Sequence, residues 1–214
     1  ILIVICILYI GIKIGGVIYE SCCIKIVSAV SLIFLFYKFS FSVQFFMFSF
    51  YAFSLISVSV VDYFYRRIPV IAPRLLFFAG LLFSFFNPVL SGSLLLKFFN
   101  SISGSLAGGS VLLLAGLIGE LFYKKEVMGG GDIKLMAGIG TFLGFRRVLT
   151  AVVAALFIAG IAGFMLILFK KKPKGTYIPF GPFLSLASFA VIFVPMEVDL
   201  FALFFAWETR ILGM

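Results

Sequence analysis

Apolar residues fill this chain in blocks close to the length of a membrane span, and polar residues gather in the short gaps between them. A helix needs about 20 consecutive apolar residues to cross a bilayer. On that measure the blocks fall at residues 1–18, 24–42, 43–61, 71–90, 98–122, 133–149, 150–169 and 178–196. They predict an all-α polytopic transmembrane bundle of about eight spans (six to eight). The gaps at 19–21, 62–73, 87–92, 124–132 and 170–175 carry Gly, Pro and charge. The block at 133–149 is short, because Arg146 and Arg147 leave about 14 apolar residues, roughly 21 Å against a ~30 Å core. It is expected as a short helix packed inside the bundle. Beyond Pro195, Glu197 and Asp199 end the last block, and the tail through Trp207 is expected to lie in the interface.

Little chain is left outside these blocks, so residues 1–214 are expected to form a single integral-membrane domain. The first block lacks the basic flank and small-residue cleavage site of a signal peptide and reads as a first membrane helix. The absence of an initiator Met suggests a trimmed sequence.

Composition agrees with the pattern. The chain is 64% hydrophobic and 12% charged, with a mean hydropathy of +1.27, which excludes a soluble globular domain. The net charge of +9 raises the idea of nucleic-acid binding, but the distribution of charge argues against it. Arg66, Arg67 and Arg74 follow the third block, Lys124 and Lys125 the fifth, and Lys170, Lys171, Lys172 and Lys174 the seventh. Alternating spans place all three loops on one side, which basic loops mark as cytoplasmic. Lys38, Lys97, Arg146 and Arg147 fall on the other side. The expected location is the cytoplasmic (inner) membrane, multi-pass, with the lipid bilayer and not nucleic acid as partner.

The chain has no histidine. That removes a Ser-His-Asp triad, a paired-histidine zinc protease site and His-ligated haem. Cys6, Cys22 and Cys23 lack the paired spacing of a zinc site, so neither metal nor cofactor is expected. The thirty phenylalanines read as lipid-facing and core bulk. Gly11 with Gly15, and Gly104 with Gly108, are small-x-x-x-small pairs that suit close helix packing.

Against this background two acids stand out. Asp132 follows Gly129-Gly130-Gly131 directly, and Asp62 ends the apolar run through Val61. A carboxylate at membrane depth is costly and marks a functional candidate. Each also has a plain structural reading, Asp62 as a helix end and Asp132 as a helix N-cap. The topology brings both to the cytoplasmic level although they are 70 positions apart. Two carboxyls held close cannot both ionise cheaply, so they share a proton. The ionised one can take a proton from water while the neutral one polarises a peptide carbonyl. The three glycines allow special backbone angles and the approach of a substrate backbone without Cβ clashes. The run Ile178-Pro179-Phe180-Gly181-Pro182-Phe183 cannot start as regular helix, and reads as a rigid, broken segment lining the site.

These segments resemble the type IV prepilin peptidases, membrane aspartyl proteases of the GxGD type. Glu126-Val127-Met128-Gly129-Gly130-Gly131-Asp132-Ile133-Lys134-Leu135 is similar to the family's E-G-M-G-x-G-D-x-K-L segment. Asp62 with Ile68-Pro69 is similar to its D-x5-[IL]-P segment, and Ile178-Pro179-Phe180-Gly181-Pro182 to its I-P-F-G-P segment. The resemblance covers roughly residues 45–190.

It implies that Asp62 and Asp132 are the catalytic pair. It also implies removal of the basic leader peptides of type IV prepilins and pseudopilins at the cytoplasmic membrane face. Gly129, Gly130, Gly131, Glu126, Lys134, Pro179, Gly181 and Pro182 are then candidates for binding the substrate, with Glu126 offered to the basic leader. Val70 and Val127 depart from the family pattern, which has an acid and a glycine at those places. Many members carry a first-loop insertion with paired cysteines that accompanies N-methylation. Here that loop is only about residues 19–25, so peptidase activity without methyltransferase activity is expected. A presenilin-like GxGD protease shares the two acids but uses a Pro-Ala-Leu motif, which is missing here. A cation or proton transporter would explain the acids but not the Ile-Pro-Phe-Gly-Pro segment.

Overall fold

The computed structural model describes residues 21–124, 128–168 and 179–194. The described residues form helices and turns without a strand. In order they are α1 (Ser21–Phe39), α2 (Val43–Tyr65), α3 (Ile71–Phe83) with a 3-10 turn at Ser84–Phe86, α4 (Leu94–Tyr123), α5 (Gly130–Leu168) and α6 (Gly181–Val191). The expected first span, Glu20, Glu126, the 170–175 loop, Ile178 and the tail to Trp207 lie outside the described residues.

Local chemistry sets several of the ends. Ser42 caps α2 by accepting a hydrogen bond from Phe45 N. The same helix stops where Arg66 turns left-handed (φ 53°, ψ 33°) and its N–H returns to the Asp62 carbonyl at 2.8 Å. Lys124 ends α4 in the same way.

The helices form a multi-pass membrane bundle. Three of them are long and apolar enough to cross: Val43–Tyr65, Leu94–Phe122 and Gly130–Met165. This corrects the expectation of six to eight spans within the described residues. Ile71–Phe86 and Gly181–Val191 are apolar but short, about 24 and 17 Å long at 1.5 Å per residue. The 71–90 block overshoots because the chain leaves helix at Asn87 (ψ 117°) although Val89 and Leu90 continue the apolar run. The exposed faces are as apolar as the core, with Phe78, Phe99, Leu121, Phe157 and Phe164 all open to the surroundings. Lipid, not water, is the solvent for such faces.

The first half of α5 is the centre of the molecule. Leu135, Met136, Ile139 and Phe142 are fully buried, clamped between α3 and α4 by glycines. Gly104 of α4 and Gly140 of α5 meet backbone to backbone, and a Cβ on Gly104 would fall 2.6 Å from Gly144 C. A Cβ on Gly108 would fall 2.8 Å from Met136 O, and one on Gly138 would fall 2.8 Å from Pro73 O. The Gly104 and Gly108 pair thus does what small-x-x-x-small spacing allows: two backbones come into contact. Gly11 and Gly15 lie outside the described residues.

Halfway along, α5 breaks. Gly144 takes φ 75° and ψ 176°, a conformation only glycine adopts at low cost. The expected division between residues 149 and 150 is therefore moved to Gly144. A break orphans backbone groups that lipid cannot satisfy, and the neighbouring helices supply partners. Asn87 Nδ2 donates to Phe142 O at 2.7 Å, Ser101 Oγ donates to Thr141 O at 2.8 Å, and Phe145 N donates to Asn100 Oδ1 at 3.0 Å.

Candidate active site

Three segments far apart in sequence meet at one end of the bundle. Asp62 sits in the last turn of α2 and is 2% exposed. A carboxylate there faces the negative end of the helix dipole, so it does not serve as a cap. Its partner comes from the start of α6: Gly181 N donates to Asp62 Oδ2 at 2.8 Å across 119 positions. Only a glycine permits that approach, since a Cβ at 181 would stand 2.7 Å from Asp62 Oδ2 and 3.1 Å from Asp62 Cβ. Pro182 follows in the first helical turn, where a missing N–H costs nothing. Pro179 and Pro182 are both half-buried.

Asp132 lies in the first turn of α5 and is 4% exposed. It is not the N-cap, because the helix begins at Gly130 and Asp132 N already bonds to Gly129 O at 3.0 Å. Its Oδ1 is buried without a hydrogen-bond partner among the described residues. Asp62, in the last turn of α2, and Asp132, in the first turn of α5, lie at the same end of the bundle.

The three glycines before Asp132 behave differently from one another. A Cβ at Gly131 would press on Ile68 Cβ at 3.0 Å, so this position packs the Ile68-Pro69 turn against α5. A Cβ at Gly129 would lie 3.4 Å from Asp132 Oδ2, and one at Gly130 would meet nothing within 4 Å. None of the three has a positive φ, which corrects the expectation of special backbone angles. What the run leaves is open space beside a buried acid. Lys134 is exposed on the same turn, and Glu126 lies outside the described residues.

Exposed basic residues ring this end: Arg66, Arg67, Arg74, Lys124 and Lys134. At the opposite end Lys38 Nζ donates to Ile192 O at 2.6 Å, just beyond α6, and lies over the Phe193 ring. Ile68 and Ser185 were not among the sequence candidates. Ile68 was visible only as half of an Ile-Pro pair. Ser185 follows Gly181 by one helical turn, so the small residues Gly181, Ser185 and Ser188 share a face.

A model of the type IV leader peptidase family matches residues 49–168. Similar proteins include three named prepilin leader peptidase/N-methyltransferase. The Pseudomonas aeruginosa protein is 29% identical over 138 residues, 64% of this chain and 46% of the relative. The Neisseria gonorrhoeae protein is 28% identical over 140 residues, 64% of this chain and 44% of the relative. The Xanthomonas campestris pv. campestris protein is 35% identical over 69 residues, 32% of this chain and 24% of the relative. The chain thus aligns with less than half the length of these relatives. No solved structure matches it.

Proposed function

The chain belongs to the type IV leader peptidase family, and from that premise we propose that it is a membrane aspartic endopeptidase that removes the basic leader of type IV prepilins or pseudopilins. The carrying observation is that two buried acids, Asp62 and Asp132, lie at one end of the bundle, with Gly181 N–H on Asp62 and the Ile68-Pro69 turn packed on Gly131. Two buried carboxyls at one end of the bundle suit general acid/base hydrolysis of a peptide.

Roles for the two acids follow from their partners. Asp62 accepts from Gly181 N–H, which holds its carboxyl in place, and in this reading it takes a proton from the attacking water. Asp132, with Oδ1 unpartnered among the described residues, holds the proton that polarises the scissile carbonyl. That proton then passes to the leaving amine as the C–N bond breaks. The opening at Gly130 lets the substrate backbone reach the pair, with Gly129, Gly131, Pro179 and Pro182 around it. The basic ring of Arg66, Arg67, Arg74 and Lys124 supports a cytoplasmic position for this end. The leader's own positive charge is then met by anionic lipid and by Glu126.

The test is leader removal from a prepilin in membranes, with Asp62→Asn and Asp132→Asn made separately. Both variants should insert normally and leave the leader in place. Full processing by either one sinks the two-aspartate mechanism.

A further inference from the structure

A second feature adjoins the aspartates, on the side away from α5. Helices α1, α2 and α6 enclose an apolar groove of about 420 Å3, within the ~300–1,000 Å3 range of ligand-sized clefts. Ser59, Tyr63, Pro182 and Ser185 line it. Ser59 and Tyr63 flank Asp62 on α2, and Pro182 directly follows the Gly181 that bonds to Asp62. The groove therefore lies beside Asp62 on α2 and Gly181 on α6.

We propose that this groove is the subsite for the uncharged apolar stretch that flanks the scissile bond of a membrane-anchored substrate, an inference that rests on the endopeptidase reading. Three observations select that occupant. No charged residue lines the groove, so a basic leader gains nothing there while an apolar stretch is desolvated. Its lining on α2 runs from Ala52 to Phe64, about 18 Å of rise, which matches roughly a dozen residues of helical substrate. Ser185 is 5% exposed, lines the groove, and has an Oγ with no hydrogen-bond partner among the described residues. That hydroxyl can bond to a substrate backbone group where the chain must unwind to be cut. Leu186, which also lines the groove, is 58% exposed, so the groove can be entered sideways from the bilayer.

Two synthetic prepilin-like substrates in liposomes test the proposal. One carries a lysine-rich leader before an intact leucine-rich stretch; in the other that stretch is interrupted by asparagines. Cleavage of the first by the unaltered protein tests the endopeptidase reading alone. The groove predicts that the interrupted substrate has a KM raised about ten-fold or more. Ser59→Phe should raise KM for the intact substrate similarly, with kcat nearly unchanged, and erase the preference between the two. Equal KM values in the unaltered protein, or a preference that survives Ser59→Phe, overturn the groove while leaving the endopeptidase intact. A capture arm is independent of turnover. Asp132→Asn protein carrying p-benzoylphenylalanine in place of Leu186 is irradiated with the intact substrate. Capture of the leucine-rich stretch supports the proposal. Capture of lipid, of a second copy, of this chain's own residues 1–20, or of nothing overturns it.

Discussion

The two ends of the bundle both bury polar groups, but they treat them differently. At the Gly144 break the groups freed by the broken helix are met by Asn87, Asn100 and Ser101 at 2.7 to 3.0 Å. At the aspartate end Asp132 Oδ1 has no partner among the described residues, and space lies open at Gly130. A buried polar group left short of partners costs stability. One end therefore spends its polar residues on holding a bent helix in lipid. The other leaves a buried acid beside open space, which suits the proposed reaction.

Substitutions can break or sharpen that contrast. The largest stability effect is expected at the Gly144 end, where Gly104→Ala drives a Cβ into the backbone of Gly140 and Gly144. It should cost about 3 kcal/mol, at the upper end for overpacking because backbone cannot yield as a side chain does. Chemical unfolding in detergent reads this out, and unchanged stability would mean α4 and α5 do not touch there. Gly181→Ala pushes α6 away from Asp62 and should lower leader cleavage by about 100-fold through misplacement alone, with the protein still inserted. Normal cleavage would remove Gly181 from the site.

Asn100→Ala is the opposite case. It should lose about 1 kcal/mol of stability with the bond to the exposed Phe145 N–H while kcat measured below the unfolding range is retained. A selective loss of kcat would break the division between the ends. Gly130→Ala is the smallest change. Stability should move by less than about 0.5 kcal/mol, since nothing meets the new Cβ. Its KM should nevertheless rise if substrate backbone passes there, and an unchanged KM would close that path.

Much of this was legible in the chain, for reasons that differ by residue. The two acids were readable because charge at membrane depth is rare, and their common level followed from where Arg66, Arg67 and Lys124 fall. The break was not placed correctly. Hydropathy responds to Arg146 and Arg147, whereas the helix ends at Gly144 because of a backbone angle that hydropathy does not carry. Gly138, Gly140 and Gly144 look alike in sequence, yet two pack against backbone and one turns left-handed. Span counting failed at Asn87, where apolar residues continue after the helix has stopped. The bond from Gly181 to Asp62 could be suspected only from the resemblance of both segments to one family.

The central claim is that Asp132 serves chemistry at no benefit to the fold. Asp132→Asn, assayed for leader removal and for unfolding midpoint on the same preparation, tests it most directly. The account predicts that cleavage is lost while the midpoint is unchanged or raised, because a neutral amide replaces a costly buried acid. Cleavage at the normal rate, or a loss of cleavage that comes only with a collapse of the midpoint, would contradict it.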